Sequence, residues 1–357
     1  MTQVEEEAGV LELLGRLSEM VGLPGHESAV SGAVREAFGP LCDEVRLDRL
    51  GNCIAFKRGD GGEPRPRVMF AAHMDEIGLM VTRIEDGGFL RFTNLGGVDQ
   101  RILPGAEVLV HGREGLHGIV GVKPPHILRP EESSEASKME DMYIDCGMPE
   151  DEIRGLVSVG DVVSLASGFS KLGDFVSGKS LDDRAGVAVL HDCLQRLGRL
   201  RHACDVYAVA TVQEEMGFRG AMISTFGVAP DVGIAIDVTH GDMAGIPEYQ
   251  TSCLDKGPAI STGPNVHPRV FSRLQEVAKE NSVPFQVEVS PASTGTDAWA
   301  MQVTRSGVAT GVISIPVRYM HTPVETAAAN DIRQAGRLAA QFAASMDRSF
   351  VEGLKCF

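Results

Sequence analysis

The sequence predicts an α/β fold: a mostly parallel sheet with helices on both faces, carrying a small, barrel-like all-β insert. Three observations predict it. Strand-like and helix-like segments alternate at both ends of the chain, which implies parallel strands joined by crossover helices. The run Arg67-Val68-Met69-Phe70-Ala71-Ala72 is apolar without alternation, as expected of a strand buried on both faces. Between about residues 77 and 176 the texture changes to short alternating runs separated by glycine pairs and charged turns, the pattern of a small barrel. The 357 residues suit two domains of ordinary size. The simplest division makes residues 1–76 and 177–357 one α/β domain, with residues 77–176 inserted between its halves.

Each element has a local reason. Apolar residues at helical spacing predict a helix over residues 4–21, and a second runs from about 27 to 38 after the Pro24-Gly25 turn signal. Strands follow at 44–48, at 53–57 and through Ala72. Inside the insert, residues 78–84, 88–92, 106–111 and 118–122 alternate, and the polar stretch 129–141 reads as a solvated loop. Beyond Ser180 come helix 182–197, strand 205–212, helix 219–226 and strand 231–236. Helix 268–281, strand 284–289, helix 297–305, strand 309–315 and a closing helix 331–346 complete the chain.

Bulk properties narrow the partners. A net charge of -16 opposes encounter with nucleic acid or an anionic membrane. No apolar run reaches membrane-spanning length, and the acidic N-terminus lacks the pattern of a secretory signal. The seven cysteines are scattered without a C-x-x-C pair, which reads as reduced thiols and a cytoplasmic protein. With aromatic residues only 5% of the chain, the core must rest on aliphatic side chains and Met.

Open α/β sheets bind ligands beyond the carboxyl ends of their strands, and metal-capable residues recur at those positions. The strand through Ala72 runs into His73-Met74-Asp75, and Asp182-Asp183 opens the helix after the insert. Later strands deliver Glu214-Glu215, then Asp237 followed by His240, then His321. Each has a bland reading: a surface turn for His73 and Asp75, a helix N-cap for Asp182-Asp183, a solvated loop for Glu214-Glu215, a turn for His321. Solvation alone gives little reason for all five sets to fall at successive active-edge positions. Two imidazoles and three carboxylates without cysteine suit Zn²⁺, Co²⁺ or Mn²⁺. Five ligands exceed what one catalytic zinc needs and suit two ions about 3.5–4 Å apart sharing a carboxylate.

The stretches around these residues resemble the motifs of the tetrahedral-shell (TET) metallo-aminopeptidases, a family of glutamyl and leucyl aminopeptidases sometimes labelled cellulase-like. They are Ala72-His73-Met74-Asp75-Glu76-Ile77-Gly78, Leu181-Asp182-Asp183-Arg184-Ala185-Gly186, Gln213-Glu214-Glu215-Met216-Gly217, Ala235-Ile236-Asp237-Val238-Thr239-His240 and Arg318-Tyr319-Met320-His321-Thr322-Pro323. Lys123-Pro124-Pro125-His126, Ile144-Asp145-Cys146-Gly147 and Thr294-Gly295-Thr296-Asp297-Ala298 extend the likeness over nearly the whole chain. The resemblance implies a zinc-exopeptidase-like catalytic domain in which His73 and Asp237 ligate one metal and Glu215 and His321 the other. It makes Asp182 the bridge, rather than Asp183, because Gly186 matches the family's Asp-x-x-x-Gly spacing, and it implies a cis peptide after that Asp. Asp75 resembles the carboxylate that accepts the second ring N–H of His73, and Glu214 the general base. The insert resembles the domain that pairs subunits, and the pairs often build a hollow dodecamer.

Amide hydrolysis needs an activated water and a carboxylate outside the metal shell to carry its proton. The expected activity is therefore removal of residues from peptides with a free amino end. Asp297 is a candidate to recognise the α-amine or, equally, an N-cap; His240 is a candidate substrate contact or a turn residue beside a ligand. A related two-metal amidase or deacylase is the rival reading. A glycan hydrolase is disfavoured because adjacent Glu214 and Glu215 cannot flank one bond at the spacing that chemistry requires.

Overall fold

A computed structural model describes residues 3–127 and 137–354. Helices α1 (Gln3–Glu19) and α2 (Ser28–Phe38) precede strands β1 (Glu44–Leu47), β2 (Cys53–Lys57) and β3 (Arg67–His73). Next come β4 (Gly78–Ile84), β5 (Leu90–Leu95), β6 (Glu107–His111), β7 (Gly115–Gly121), β8 (Tyr143–Asp145), α3 (Glu150–Leu156) and β9 (Val162–Leu165). Strands β10 (Ser170–Leu172) and β11 (Phe175–Gly178) lead into α4 (Leu181–Leu197), β12 (Asp205–Thr211), α5 (Arg219–Val228) and β13 (Val232–His240). The chain ends with β14 (Ala259–Thr262), α6 (Pro268–Glu280), β15 (Gln286–Val289), α7 (Asp297–Gln302), β16 (Ala309–Arg318), β17 (Glu325–Ala328), α8 (Ala329–Ala344) and α9 (Arg348–Glu352).

β3 shows why the sheet is buried on both faces. Val68, Phe70 and Ala72 point into the larger core, where α1, α2, α4, α6 and α8 pack. Met69 and Ala71 point the other way, against Ala221 of α5 and Met301 of α7. The same two-residue alternation divides β13 and β16 between the two faces. A Cβ on Gly233 would meet the Met301 methyl, so the glycine gives that side chain its present place against the sheet.

The sheet runs β1-β2-β12-β3-β13-β16-β17-β11-β10, with β14 attached to β16 and β15 to β14. Its centre, β12-β3-β13-β16, is parallel as expected. Both flanks are antiparallel, so the whole sheet is mixed rather than mostly parallel. At the outer edges the reason is connection length: short turns join β1 to β2 and β10 to β11, and a short turn can join only antiparallel neighbours.

Strands β4-β5-β8-β7-β6-β9 close into a barrel with its own core, which includes Leu79, Leu90, Val110, Val120, Ile144 and Val163. The last barrel strand ends at Leu165, whereas β10 and β11 pair into the main sheet. The insert boundary expected at residue 176 thus falls inside the main sheet. Of the loop expected at 129–141, residues 129–136 lie outside the described residues, and Met139–Asp141 forms a short helical turn.

Candidate metal centre

The parallel strands point their carboxyl ends at one cleft of about 460 Å³. His73 closes β3, Asp237 lies within β13, and the turns after β12 and β16 carry Glu214-Glu215 and His321. The structure brings His73, Asp182, Glu214, Glu215, Asp237, His240 and His321 to the wall of this cleft.

The Asp182 carboxylate stands at the middle of the cluster. Its Oδ1 lies 3.0 Å from His73 Nε2 and its Oδ2 lies 3.2 Å from His321 Nε2. His321 Nε2 is also 3.1 Å from Glu215 Oε1, and His73 Nε2 is 3.9 Å from Glu214 Oε2. His73 Nδ1 faces the Asp75 main-chain oxygen at 3.2 Å, and His321 Nδ1 faces the Gly97 carbonyl at 3.0 Å. In each ring Nδ1 meets a carbonyl oxygen and Nε2 meets carboxylate oxygen. With the ring proton on Nδ1, the Nε2 lone pairs and the carboxylates converge as a donor set that fits divalent metals.

Asp182 and Asp183 divide the two roles the sequence left open. The peptide between them is cis, and neither residue has helical backbone angles. Asp183 Oδ1 accepts the Gly186 N–H at 2.9 Å, as a helix cap does, and its Oδ2 accepts the His73 N–H at 3.1 Å. Asp183, His73 and Asp237 also bring ligand atoms within 4.8 Å of one another, as do His73, Asp182 and Glu215. With both Asp183 oxygens held by backbone N–H groups, Asp182 is the better candidate bridge.

Strand β12 stops at Thr211, and Gln213 takes a left-handed backbone conformation. The resulting turn, closed by Gly217 and Phe218 N–H groups donating to the Glu214 carbonyl, presents two adjacent glutamates to one cleft. Asp75 is buried beneath it. Its carboxylate accepts the N–H groups of Glu214 (3.0 Å) and Glu215 (3.1 Å) and lies 3.6 Å from His73 Nδ1. It thus supports the glutamate turn at closer range than the imidazole it was expected to orient.

Charge crowding marks the site. Burial, reinforced by Asp237, Asp297 and Glu215, pushes the Glu214 carboxyl up to about 10. Burial also raises Asp237 and Asp183 well above the usual carboxylate range. Burial disfavours charge on His321, but its hydrogen bonds to Asp182 and Glu215 outweigh that and push it up to about 11. His73 behaves likewise, with Glu214 and Asp182 overcoming its burial. Such a cluster is short of positive charge, which bound dications would supply.

Two expected contacts sit differently. Asp297 is buried, its Oδ2 accepting the Thr211 hydroxyl at 2.6 Å, and it is not on the cleft wall. Nor does it cap α7, since Thr296 does so through the Ala298 N–H. His240 is exposed at the cleft rim. Sequence reading missed Glu325, whose buried carboxylate accepts the N–H groups of Asp182 (2.9 Å) and His321 (2.7 Å). The available signal was a lone acidic residue opening the small-residue run Thr326-Ala327-Ala328-Ala329.

Known proteins are similar to this chain in sequence and fold. The model of the M42 glutamyl aminopeptidase family matches residues 51–338. A lysyl aminopeptidase of Pyrococcus furiosus is 39% identical, over 92% of this chain and 95% of its own. The solved TET aminopeptidase of a marine-sediment thaumarchaeon superposes with a TM-score of 0.93 at 34% identity, covering 98% of this chain and 99% of that one. The TET1 peptidase of Pyrococcus horikoshii, described as assembling into a tetrahedron or a large octahedral shell, superposes at 0.83 with 30% identity, covering 94% and 100%.

Proposed function

The chain belongs to the M42 glutamyl aminopeptidase family, and on that premise we propose a two-metal aminopeptidase that removes residues singly from peptides with a free amino end. The observation that carries the two-metal reading is the Asp182 carboxylate, with an imidazole Nε2 at 3.0 and 3.2 Å from its two oxygens. His73 and Asp237 would hold one ion, Glu215 and His321 the other, and Asp182 both. Zn²⁺, Co²⁺ and Mn²⁺ all suit these donors. When bound, such a pair supplies Lewis acidity for the scissile carbonyl and makes a water acidic enough to attack it.

The remaining steps belong to the chain. Glu214, buried beside His73, takes the proton of the attacking water on a carboxylate oxygen and returns it to the leaving amine. Asp75 holds Glu214 and Glu215 through their main-chain N–H groups and keeps the base aimed. His240, at the cleft rim, would contact the peptide substrate.

The barrel, with exposed Phe89, Ile119 and Val159, would pair subunits into a homo-oligomer, with a dodecamer as the expected end point. Six described cysteines are free thiols, which supports a cytoplasmic enzyme; no helix among the described residues is long and apolar enough to cross a membrane, and the net charge of -16 opposes encounter with nucleic acid. The test is stepwise amino-acid release from a peptide and its N-acetylated form, with elemental analysis. Two ions per chain, chelator-sensitive release and inertness of the acetylated peptide are expected. Cleavage of the acetylated form alone would move the assignment to an amidase.

A further inference from the structure

We propose that Glu288 sets the substrate class of this cleft, selecting peptides whose first residue carries a basic side chain. The inference rests on the aminopeptidase reading above and goes further by naming the specificity pocket. Glu288 lies on β15, an outer strand of the sheet, opposite Ser261 of β14. Its carboxylate reaches back towards the site: Oε1 accepts the Thr239 hydroxyl at 2.6 Å, and Oε2 accepts the Ser261 hydroxyl at 2.9 Å. Thr239 is two residues beyond Asp237 on β13, hence on the same face and roughly 7 Å further along the strand. The Glu288 charge thus stands about one long side chain from the candidate metal ligands, inside the same cleft.

The rest of the wall sharpens the choice. Ser261, Ser290, Ser314 and Thr294 line the wall with hydroxyls, while Val238, Val312 and Met320 of the same cleft suit the methylene stem of a long side chain. No Lys or Arg lines the cleft among the described residues, so an acidic first residue would find neither to offset the Glu288 charge. No described cation lies within ion-pair distance of Glu288, and two hydroxyls occupy only half of a carboxylate's acceptor capacity. A lysine ammonium on its four-carbon stem, or an arginine guanidinium, would supply the missing partner.

The test compares kcat/KM for Lys, Arg, Leu and Glu p-nitroanilides in the metal-loaded wild type, Glu288→Gln and Glu288→Lys. Wild type should favour Lys and Arg over Leu and Glu. Glu288→Gln should cut the Lys-to-Leu ratio by roughly 10- to 100-fold, mainly through KM, and Glu288→Lys should raise the Glu-to-Lys ratio. A wild-type preference for Leu or Glu, or an unchanged ratio in Glu288→Gln, overturns the proposal. Calorimetry with free lysine, leucine and glutamate reads the pocket without turnover. Lysine binding that is lost in Glu288→Gln upholds the pocket even if no anilide is cleaved, a result that would fail the aminopeptidase reading instead. Equal binding of all three amino acids overturns the pocket.

Discussion

Asp75, Asp183 and Glu325 place their oxygens on main-chain N–H groups beneath the cleft: those of Glu214 and Glu215, of His73 and Gly186, and of Asp182 and His321. Four of the five candidate ligands are thereby held by the backbone as well as through their side chains. Such support keeps a site within the small tolerance its chemistry allows. Glu214 plays a different part, because its side chain lies outside the proposed metal shell while its backbone is fixed. Glu214→Gln keeps the shape, so both ions should stay while turnover falls by at least ~100-fold. Near-normal turnover in that variant would remove Glu214 from the mechanism. Asp182→Ala takes away the group between both imidazoles and should empty both positions, whereas His73→Ala should mainly empty one. Elemental analysis showing two ions per chain in Asp182→Ala would move the bridge to Asp183.

Helix α4 links the site to the core. Its first residues face the cleft, and the remainder packs against α1, α8 and β3. Arg184, fully buried one residue beyond Asp183, donates to the Leu17 carbonyl at 2.7 Å and offsets the nearby charges of Glu76 and Asp75. Further along, His191 faces Phe38 of α2 at 6.3 Å between ring centroids, and its Nδ1 has no partner among the described residues. Burial pushes its imidazole down to about 4. The unfolded chain therefore binds a proton as pH falls below about 6.5, while the folded chain resists until about 4. Folding stability carried by the neutral ring is complete above the upper value and lost progressively through that window, up to about 3 kcal/mol. His191→Phe should flatten the stability–pH curve between pH 4 and 6.5. An unchanged slope in denaturant titrations at several pH values would show that other groups govern acid unfolding.

At the scale of the molecule, the barrel is more than an appendage beside the sheet. Its Gly97 carbonyl orients His321, and Gly96 lies against Glu215, so the insert helps to complete the candidate centre without supplying a ligand. A Cβ on Gly97 would run into the His321 ring. The insert also carries exposed apolar side chains that a monomer would leave in water. Full-length, metal-loaded protein at micromolar concentration should give a light-scattering mass of a dimer or larger, with twelve chains as the expected closed particle. A monomeric mass would refute pairing through the barrel.

Local pattern determined much of this protein. The unbroken apolar run of β3 signals burial on both faces, and the alternation from residue 205 onward signals parallel strands, because side-chain periodicity is a property of neighbours in sequence. His73, Glu214, Glu215, Asp237 and His321 were legible because strand ends are where an α/β sheet opens a crevice. What lay beyond reach depended on contacts between distant residues. The spacing to Gly186 already favoured Asp182 over Asp183 as the bridge, but that both Asp183 oxygens are engaged by the backbone of α4 and of His73 was not legible. Asp297 was read as an amine contact or a cap, yet it lies buried against Thr211, 86 residues earlier. Glu325, Gly97 and Glu288 carry no motif of their own, and only the packing of β17, the barrel loop and β15 around the sheet brings Glu288 to the cleft and the other two against its residues. A hydrogen bond between residues far apart in the chain leaves no periodic trace in sequence, and only the folded structure decides which of them form.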